Sequence, residues 1–294
     1  ITEVEAPAAP TAAETDAPLV ELIDVSRRFV TRGKWLAGGG TVDAVRNVSL
    51  TIREGEFIGI VGESGSGKTT VARMIAGLDH PTEGKILVRG KDSRLNTPEA
   101  KAERLETLQM IFQDPQSALN PRRIVESLIT QAMEADHRSH DPAERGQQAE
   151  ILLREIGMPP DSRRRYPSQL SGGQRQRVNI GRAICVAPKL LVADEIVSGL
   201  DVSVQAQILN LMLRLREELG ISLLLISHDL SVVRYICSRV FVMHKGKVVE
   251  SGPTEEVFAA PQHDYTRALL AAVPPDDADV PWPPKFSESE ALAT

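Results

Sequence analysis

The sequence contains few cysteines and no long apolar runs, and its basic residues do not outnumber its acidic ones. Only two of its 294 residues are cysteines, Cys185 and Cys237, which excludes a disulfide framework or a cysteine-based metal cluster and fits a reducing compartment. No segment approaches the roughly 20 consecutive apolar residues that a membrane-spanning helix needs. The 34 Lys and Arg residues stand against 40 Asp and Glu residues. This balance disfavours a dedicated nucleic-acid binder, whose affinity depends on basic side chains that contact phosphates.

The two ends of the chain differ in composition from its middle. Residues 1–18 are rich in Ala, Pro and acids, so we expect a disordered tail, because such a segment buries too little apolar surface to offset its ordering entropy. Residues 275–294 are Pro-rich and acidic, and we expect a flexible tail there. The acidic N-terminus has no apolar centre and begins with Ile1, so we expect no signal peptide and a missing natural start. The length of 294 residues allows one large domain or two small ones.

Strand and helix patterns alternate in the second half of the chain. Apolar runs at 190–193 and 222–226 predict buried strands, and 202–219 and 231–237 predict helices. Such alternation predicts a parallel sheet. Shorter strand patterns occur in the first half and near the end, over 19–29, 45–52, 56–61, 240–243 and 247–250. Residues 100–186 have a charged, mainly helical texture and predict an inserted subdomain.

A glycine-rich stretch after the strand at 56–61 carries a specific chemical signal. Residues 62–69 read GESGSGKT, which fits the pattern G-x-x-x-x-G-K-[ST], and a helix is predicted over 68–78. Small residues let backbone N–H groups converge on phosphate oxygens, and a helix N-terminus adds a favourable field. Lys68 is expected to reach the β- and γ-phosphates, and Thr69 is expected to bind Mg²⁺. The predicted nucleotide-binding residues of this stretch are Gly62, Ser64, Gly65, Ser66, Gly67, Lys68, Thr69 and Thr70.

Two adjacent carboxylates follow the apolar strand at 190–193. Neighbouring side chains at the tip of a strand point in different directions, so Asp194 and Glu195 can have different tasks. We expect Asp194 to hold Mg²⁺ and Glu195 to orient and deprotonate the attacking water. Together with the phosphate-binding stretch, the pair predicts hydrolysis of a nucleotide.

The pentapeptide LSGGQ at 170–174 predicts a second anion site, because a serine hydroxyl and two glycine amides begin a helix there. It resembles the signature motif of ATP-binding cassette (ABC) ATPases, and the resemblance extends over about 20–273. The resemblance implies an α/β fold with a RecA-like P-loop NTPase core, an antiparallel β subdomain and a helical subdomain inserted at about 115–186. It also implies that two chains sandwich two ATP molecules, each signature closing on the nucleotide of the partner. The signature residues in question are Ser171, Gly172, Gly173 and Gln174.

The resemblance implies roles for residues that carry little signal alone. Phe29 matches the aromatic residue that stacks on adenine, and Asp201 matches the loop that crosses the dimer interface. Gln113 matches a glutamine that senses Mg²⁺ and the attacking water. His228 matches a histidine that contacts the γ-phosphate and orients Glu195. The implied catalytic residues are Glu195, His228, Lys68 and Gln113, and the implied metal ligands are Thr69, Gln113 and Asp194.

Two positions depart from the usual family pattern. Ile196 follows the catalytic glutamate where the family usually has proline, and Gly199 stands where it usually has alanine. Neither departure removes a reacting group, so we expect an active site. Glycine is expected to loosen the interface loop, and Ile196 to relax the backbone after Glu195.

Longer stretches are similar to the peptide/nickel importer subfamily, and most to its second cassette. They read FQDPQSALNPR at 112–122, DVSVQAQ at 201–207 and HDYTRALLAAVP at 263–274. The resemblance implies an ATP-binding cassette over 19–257 and the subfamily's C-terminal extension over 258–274. It implies ATP and Mg²⁺ as cofactors, and ATP hydrolysis that powers import of peptides or a related small solute.

The same resemblance implies partners and a location. The partners are a second, non-identical cassette, two transmembrane permease subunits and, indirectly, an extracytoplasmic solute-binding protein, without nucleic acid. The implied location is peripheral, on the cytoplasmic face of the inner membrane. Because a fold does not fix a function, a soluble non-transport ABC ATPase that acts on nucleic acid or ribosomes is the alternative.

Overall fold

The computed structural model describes residues 18–31, 40–94, 97–135 and 141–272. Apart from Pro18, the predicted tails at 1–18 and 275–294 lie outside the described residues. The strands are β1 (Val20–Thr31), β2 (Gly40–Ile52), β3 (Phe57–Val61), β4 (Glu83–Val88), β5 (Lys91–Asp92), β6 (Leu108–Ile111), β7 (Leu190–Asp194), β8 (Ser222–Ile226), β9 (Arg239–His244) and β10 (Lys247–Pro253). The α-helices are α1 (Lys68–Ile75), α2 (Pro98–Thr107), α3 (Pro115–Ala118), α4 (Val125–Ile129), α5 (Gln131–Ala135), α6 (Pro142–Glu155), α7 (Gly172–Ile184), α8 (Val202–Leu219), α9 (Leu230–Ile236), α10 (Thr254–Ala259) and α11 (Asp264–Ala271).

The described strands form two sheets. The smaller sheet is antiparallel and has the order β2-β1-β4-β5. The larger sheet has the order β10-β9-β3-β8-β7-β6, and its strands run parallel apart from the β9–β10 hairpin. That hairpin turns at Lys245 and Gly246, whose φ angles of 47° and 83° suit a two-residue type I′ turn. The parallel sheet predicted from the alternating pattern is therefore present.

The larger sheet carries an apolar core on each face. The side chains of β3 alternate between these two cores. All residues of β3 are buried; Phe57 and Val61 belong to one core, and Ile58 and Ile60 belong to the other. Helices α4, α6, α7, α8 and α9 contribute to the first core, which we call the helical core. Helix α1 and the antiparallel sheet close the second. Strands buried on both faces read as continuous apolar runs, which makes them recognisable in the sequence.

Strand β6 lies inside the segment that the sequence predicts as mainly helical. It follows α2 directly and pairs with β7 in parallel, from Leu108 opposite Leu190 to Ile111 opposite Ala193. Its conformation is set by this edge position in the sheet, because β propensity depends strongly on the neighbouring strand. Strands β4 and β5 are likewise absent from the sequence-based prediction, and both pair within the antiparallel sheet.

Helix α1 ends at Ile75, three residues before the predicted end at Leu78. Gly77 adopts a φ of 71°, which is a left-handed conformation. The N–H groups of Gly77 and Leu78 donate to the carbonyl oxygens of Met74 and Arg73, at 3.1 and 2.8 Å. This is a Schellman arrangement, in which a left-handed glycine stops the helix.

Between β6 and β7 the described chain contains α3 to α7 and two short 3₁₀ helices, Pro160–Arg164 and Pro167–Gln169. Arg163 connects the first of these to its neighbours through ion pairs with Glu126 of α4, at 3.0 Å, and Glu150 of α6, at 2.6 Å. In the part of the chain that the structure describes, every helix is too short or too polar to cross a lipid bilayer.

Candidate active site

Four strands of the larger sheet end at one edge, because β3, β6, β7 and β8 run parallel. Residues that the sequence singles out follow these ends. The phosphate loop (residues 62–69) follows β3, Gln113 follows β6, Asp194 ends β7 with Glu195 directly after it, and His228 follows β8. Ligands of open α/β sheets bind outside the carboxyl ends of the strands. The topology therefore brings residues that are distant in sequence to one edge.

At two positions of the phosphate loop, both the backbone angle and the close packing require glycine. Gly62 and Gly67 have φ angles of 143° and 104°, which L side chains rarely adopt. A Cβ on Gly62 would lie 2.1 Å from the carbonyl oxygen of Met243, and one on Gly67 would lie 2.4 Å from that of Ala44. The backbones of β9 and β2 therefore pack directly against the loop, while residues 63–65 stay exposed on its other side.

The remaining predicted residues of this region differ in exposure. Ser64 and Gly65 are exposed, and Ser66 is buried. The Ser66 hydroxyl has no hydrogen-bond partner among the described residues. Thr69 and Thr70 lie in the first turn of α1. The loop therefore offers backbone groups and hydroxyls at the N-terminus of a helix, which is the donor set that phosphate binding uses.

The ammonium group of Lys68 is held inside the phosphate loop. Lys68 is 6% exposed, and its Nζ donates to the carbonyl oxygens of Gly62 at 2.6 Å and Glu63 at 2.8 Å. Burial lowers the pKa of Lys68, and the charges of Glu195, Asp194 and Glu63 act in the opposite direction. A buried cation whose hydrogen-bond partners are neutral carbonyls gains strongly from an anion. Phosphate oxygens fit this position.

Asp194 is buried next to Thr69, whose hydroxyl donates to Oδ1 at 3.3 Å. Burial raises the pKa of Asp194, and the hydrogen bond from Thr69 opposes this shift. A desolvated carboxylate is stabilised by a cation, and carboxylate and hydroxyl oxygens are ligands that Mg²⁺ prefers. The two residues therefore fit the metal predicted from the sequence.

Glu195 is held between Gln113 and His228. Nε2 of Gln113 donates to Oε2 of Glu195 at 2.7 Å, and Nδ1 of His228 lies 3.4 Å from Oε1. The backbone of Glu195 has a φ of 48°, in the left-handed region, which costs a non-glycine residue roughly 1 kcal/mol or more. Strain of this kind persists where the surroundings fix a side chain in a required place. Gln113 and His228, which the resemblance assigns to this part of the site, thus each contact the carboxylate of Glu195.

The signature residues at 171–174 begin α7. Ser171 is the N-cap and forms a reciprocal capping box with Gln174: the Gln174 N–H donates to Oγ of Ser171 at 3.3 Å, and the Ser171 N–H donates to Oε1 of Gln174 at 3.0 Å. None of the described hydrogen bonds of these two side chains reaches the phosphate loop. Ser171 itself is exposed. The structure therefore does not join the signature to the phosphate loop of the same chain.

The two signature glycines differ in the space around them and provide a matched pair of substitutions. A Cβ on Gly173 would lie 2.6 Å from Cγ1 of Val204 on α8, whereas one on Gly172 would lie 3.8 Å from its nearest neighbour, on Leu200. We expect Gly173→Ala to lower the free energy of unfolding by about 1–3 kcal/mol through overpacking. We expect Gly172→Ala to change it by less than about 0.5 kcal/mol. Urea unfolding without nucleotide measures both free energies. Equal stabilities of the two variants would show that α7 and α8 move apart enough to accommodate the extra methyl group at Gly173.

The loop at 198–201 leads into α8, and Asp201 is its exposed N-cap residue. Gly199 has a φ of 71°, so glycine suits the backbone at this departure from the family pattern. At the other departure, Ile196 is 2% exposed and belongs to the helical core. The backbone conformation thus explains glycine at position 199, and burial in the helical core explains an apolar residue at position 196.

Phe29 lies on β1, opposite Val42 of β2, and is 39% exposed. The guanidinium carbon of Arg27 lies 4.5 Å from the centroid of its ring, and Arg27 also pairs with Asp79 at 2.8 Å. Phe29 therefore offers accessible aromatic surface in a fixed setting. Its stacking on adenine stays a prediction.

Two side chains that shape the site are missed by the sequence-based prediction. Asn179 of α7 is buried, and its Nδ2 donates to the carbonyl oxygen of Phe112 at 3.0 Å, which fixes the backbone next to Gln113. Tyr265 of α11 accepts a hydrogen bond from the N–H of Glu63 at 2.9 Å. Both side chains act on backbone groups that are remote in sequence. A pattern of residue types in one sequence carries no signal for such contacts.

Two known families match this chain. Residues 45–198 match the family described as ABC transporter, and residues 249–290 match the family described as oligopeptide/dipeptide transporter, C-terminal region. Among curated proteins, a probable peptide ABC transporter ATP-binding protein, y4tS of Sinorhizobium fredii, is 50% identical over 88% of this chain and 74% of its own length. The oligopeptide transport ATP-binding protein AppF of Bacillus subtilis is 46% identical, over 87% of this chain and 78% of its own. The oligopeptide transport ATP-binding protein OppF of Streptococcus mutans is 45% identical, over 88% and 82%.

Solved structures share this fold. The ATP-binding cassette MJ0796, in a dimeric post-hydrolysis state bound to ADP and phosphate, superposes with a TM-score of 0.71 at 30% identity and covers 80% of this chain and 98% of its own. The protein cbiO1 of Clostridium perfringens, part of the ABC transporter complex cbiONQ, superposes with a TM-score of 0.70 at 26% identity, over 83% and 92%. The likeness therefore includes nearly the full length of two cassettes.

Proposed function

Because this chain belongs to the family of ABC transporter ATP-binding proteins, we propose that it is the ATP-hydrolysing subunit of an importer of peptides or a related small solute. The observation that carries the proposal is the carboxylate of Glu195, held by Gln113 and His228 near the buried Lys68 and Asp194. The names of the relatives and the C-terminal match support peptides as the solute class.

The family, the fold class and the ATPase activity predicted from the sequence are confirmed by the comparisons. The chain is an ATPase cassette with the P-loop α/β fold, and it binds ATP. The relatives carry names of peptide and oligopeptide transport proteins, so they do not favour the alternative of a non-transport ATPase that acts on nucleic acid or ribosomes.

The residues at the sheet edge divide the work on ATP. Lys68 exchanges its two loop carbonyls for β- and γ-phosphate oxygens, where its charge stabilises the transferring phosphoryl group. Glu195 accepts the proton of the attacking water as a general base, and Gln113 and His228 hold its carboxylate in place. The water oxygen bonds to the γ-phosphorus while the bond to the bridging oxygen breaks, which yields ADP and phosphate.

Thr69 and Asp194 are the residues that would hold Mg²⁺, with Gln113 as a further ligand. Nε2 of Gln113 donates to Glu195, which leaves the amide oxygen of Gln113 for a metal, so its two predicted roles are compatible. When bound, Mg²⁺ supplies positive charge to the β- and γ-phosphates.

A second, non-identical cassette completes the two ATP sites in this proposal. Ser171 is exposed, and its side chain bonds only within its own capping box among the described contacts, which supports a role toward a partner's nucleotide. Gly172, Gly173 and Gln174 follow it in the first turn of α7 and are half-buried, and Asp201 lies at the exposed start of α8. The dimeric state of the similar cassette MJ0796 supports the same arrangement.

The names of the relatives, which describe transporter subunits, support the remaining partners of the proposal. We place the cassette at 19–257, its helical subdomain at about 115–186 and the C-terminal extension at 258–274. The helical subdomain contacts two transmembrane permease subunits, and an extracytoplasmic binding protein delivers the solute to them. The chain thereby sits peripherally on the cytoplasmic face of the inner membrane.

Co-expression with candidate permease genes from the same genome tests the proposal. The tagged chain is expected to co-purify in detergent with two permeases and a second cassette. After reconstitution in liposomes, its ATPase activity is expected to rise with the cognate binding protein and peptide, and not with RNA or DNA. Stimulation by nucleic acid, or purification without any membrane protein, would contradict the proposal.

A further inference from the structure

Tyr265, in the C-terminal helix α11, contacts the phosphate loop through one hydrogen bond. The N–H of Glu63, the second residue of the loop, donates to the hydroxyl oxygen of Tyr265 at 2.9 Å, across 202 residues of sequence. Tyr265 also packs against the helical core, as do Leu269 and Leu270 of the same helix. The C-terminal segment therefore touches the site with a polar atom and is anchored by apolar side chains.

Several contacts fix the position of Tyr265. Its ring lies on the ring of His244, at the end of β9, with a centroid distance of 3.9 Å and an interplanar angle of 33°. Its N–H donates to Nδ1 of His263, the N-cap of α11, at 3.1 Å. The carboxylate of Glu250, on β10, accepts hydrogen bonds from the N–H groups of Gln262 and His263 at 2.7 and 3.0 Å. The β9–β10 hairpin thus holds the segment that presents the hydroxyl.

The same hairpin also supports the loop from behind. The N–H of Gly246 donates to the carbonyl oxygen of Ser66 at 3.0 Å, and the carbonyl oxygen of Met243 fills the space next to Gly62. The hairpin therefore contacts the phosphate loop at Gly62 and at Ser66, and Tyr265, which the hairpin holds, contacts it between them at Glu63.

The contact made by Tyr265 is one residue removed from the phosphate-binding ammonium. The carbonyl oxygen of Glu63 accepts from Nζ of Lys68 at 2.8 Å, while its N–H donates to Tyr265. The side chain of Glu63 is exposed, and its carbonyl oxygen also accepts a hydrogen bond from the N–H of Ser66 at 3.2 Å. The carbonyl side of this residue is therefore held from within the loop, whereas its N–H is held by the hydroxyl of Tyr265.

We propose that Tyr265 is a positioning residue for ATP binding, which acts by holding the backbone N–H of Glu63 and thereby the start of the phosphate loop in place. The inference rests on the proposed function, since it concerns the same ATP site. A loop that is ordered before the phosphate arrives loses less conformational entropy on binding. The C-terminal segment thereby contributes to nucleotide affinity without touching the nucleotide.

Tyr265→Phe tests this inference, because it removes the hydroxyl and keeps the ring that lies on His244. The control is Tyr235→Phe, which removes an exposed hydroxyl bonded to Oδ1 of Asn210 at 2.9 Å. One neutral hydrogen bond corresponds to about a two- to tenfold change in an equilibrium constant, so we expect Kd for ATP to rise about two- to tenfold in Tyr265→Phe alone. Titration of the full chain with a fluorescent ATP analogue measures this change.

Two further readouts separate positioning from a general loss of stability. Amide hydrogen exchange of the peptide that contains Glu63 is expected to be faster in Tyr265→Phe than in the wild type, and unchanged in Tyr235→Phe. The midpoint of thermal unfolding is expected to be the same in both variants. An unchanged Kd in Tyr265→Phe, or an equal rise in both variants, would overturn the inference while the wild-type chain still binds ATP. Failure of the wild-type chain to bind ATP would overturn the proposed function, and the inference with it.

Discussion

Glu195→Gln is expected to lower ATP turnover by the assembled transporter about 100-fold or more, because a positioned general base usually contributes about 100- to 10,000-fold to the rate. The amide has the shape of the carboxylate but cannot accept a proton. Gln113 and His228 lie against this side chain in the structure, so the surroundings of residue 195 are expected to persist. ATP binding should be retained, because the contacts of the phosphate loop are unaffected. Phosphate release and nucleotide titration measure the two properties separately.

The matched control for that variant is Glu255→Gln, which neutralises an exposed carboxylate on α10 that pairs with Arg234 of α9. Its turnover is expected to equal that of the wild type. Turnover near the wild-type rate in Glu195→Gln would show that another group activates the water.

Lys68→Met is expected to raise Kd for ATP about 10- to 100-fold, because charge-assisted hydrogen bonds to phosphate are lost. The methionine side chain fills a comparable volume inside the loop. Burial already lowers the pKa of Lys68, so its charge is held at a cost that the apolar substitute does not have. Thermal unfolding without nucleotide is therefore expected to remain close to that of the wild type, and titration with an ATP analogue measures the loss of binding.

The control for the lysine variant is Lys85→Met, at an exposed position on β4. It is expected to bind ATP as the wild type does. If Lys68→Met and Lys85→Met bound ATP with comparable affinity, Lys68 would not contribute to phosphate binding.

The parts of this site that can be predicted from sequence are those with local causes. The phosphate loop is a continuous strand, turn and helix, so Gly62 to Thr69 carry their own signal. Strands β7 and β8 are buried on both faces and read as apolar runs. Gln113 and His228 carry almost no local signal, and only a family resemblance points to them. Their contact with Glu195 depends on four parallel strands that end together.

The parts that could not be predicted have distant causes. Strand β6 follows helix α2 without a break and is extended because β7 lies next to it. The Tyr265 hydroxyl accepts a hydrogen bond from the backbone N–H of Glu63. Every residue except proline has such an N–H, so the residue type at position 63 gives no indication of the contact. Helix α1 is the opposite case, because Gly77 is visible in the sequence, but its left-handed conformation decides whether it ends the helix.

The place of β3 in the larger sheet has a consequence for how the protein is made. β3 is the first strand of that sheet to leave the ribosome, yet its partners β8 and β9 come from the last third of the chain. The carbonyl oxygen of Phe57 accepts a hydrogen bond from the hydroxyl of Ser238, which is synthesised 181 residues later. At typical synthesis rates that interval lasts roughly 10–40 s, during which an apolar strand has neither of its neighbours. Nascent chains therefore expose a segment that can pair with other chains, and their yield depends on how well chaperones shield it.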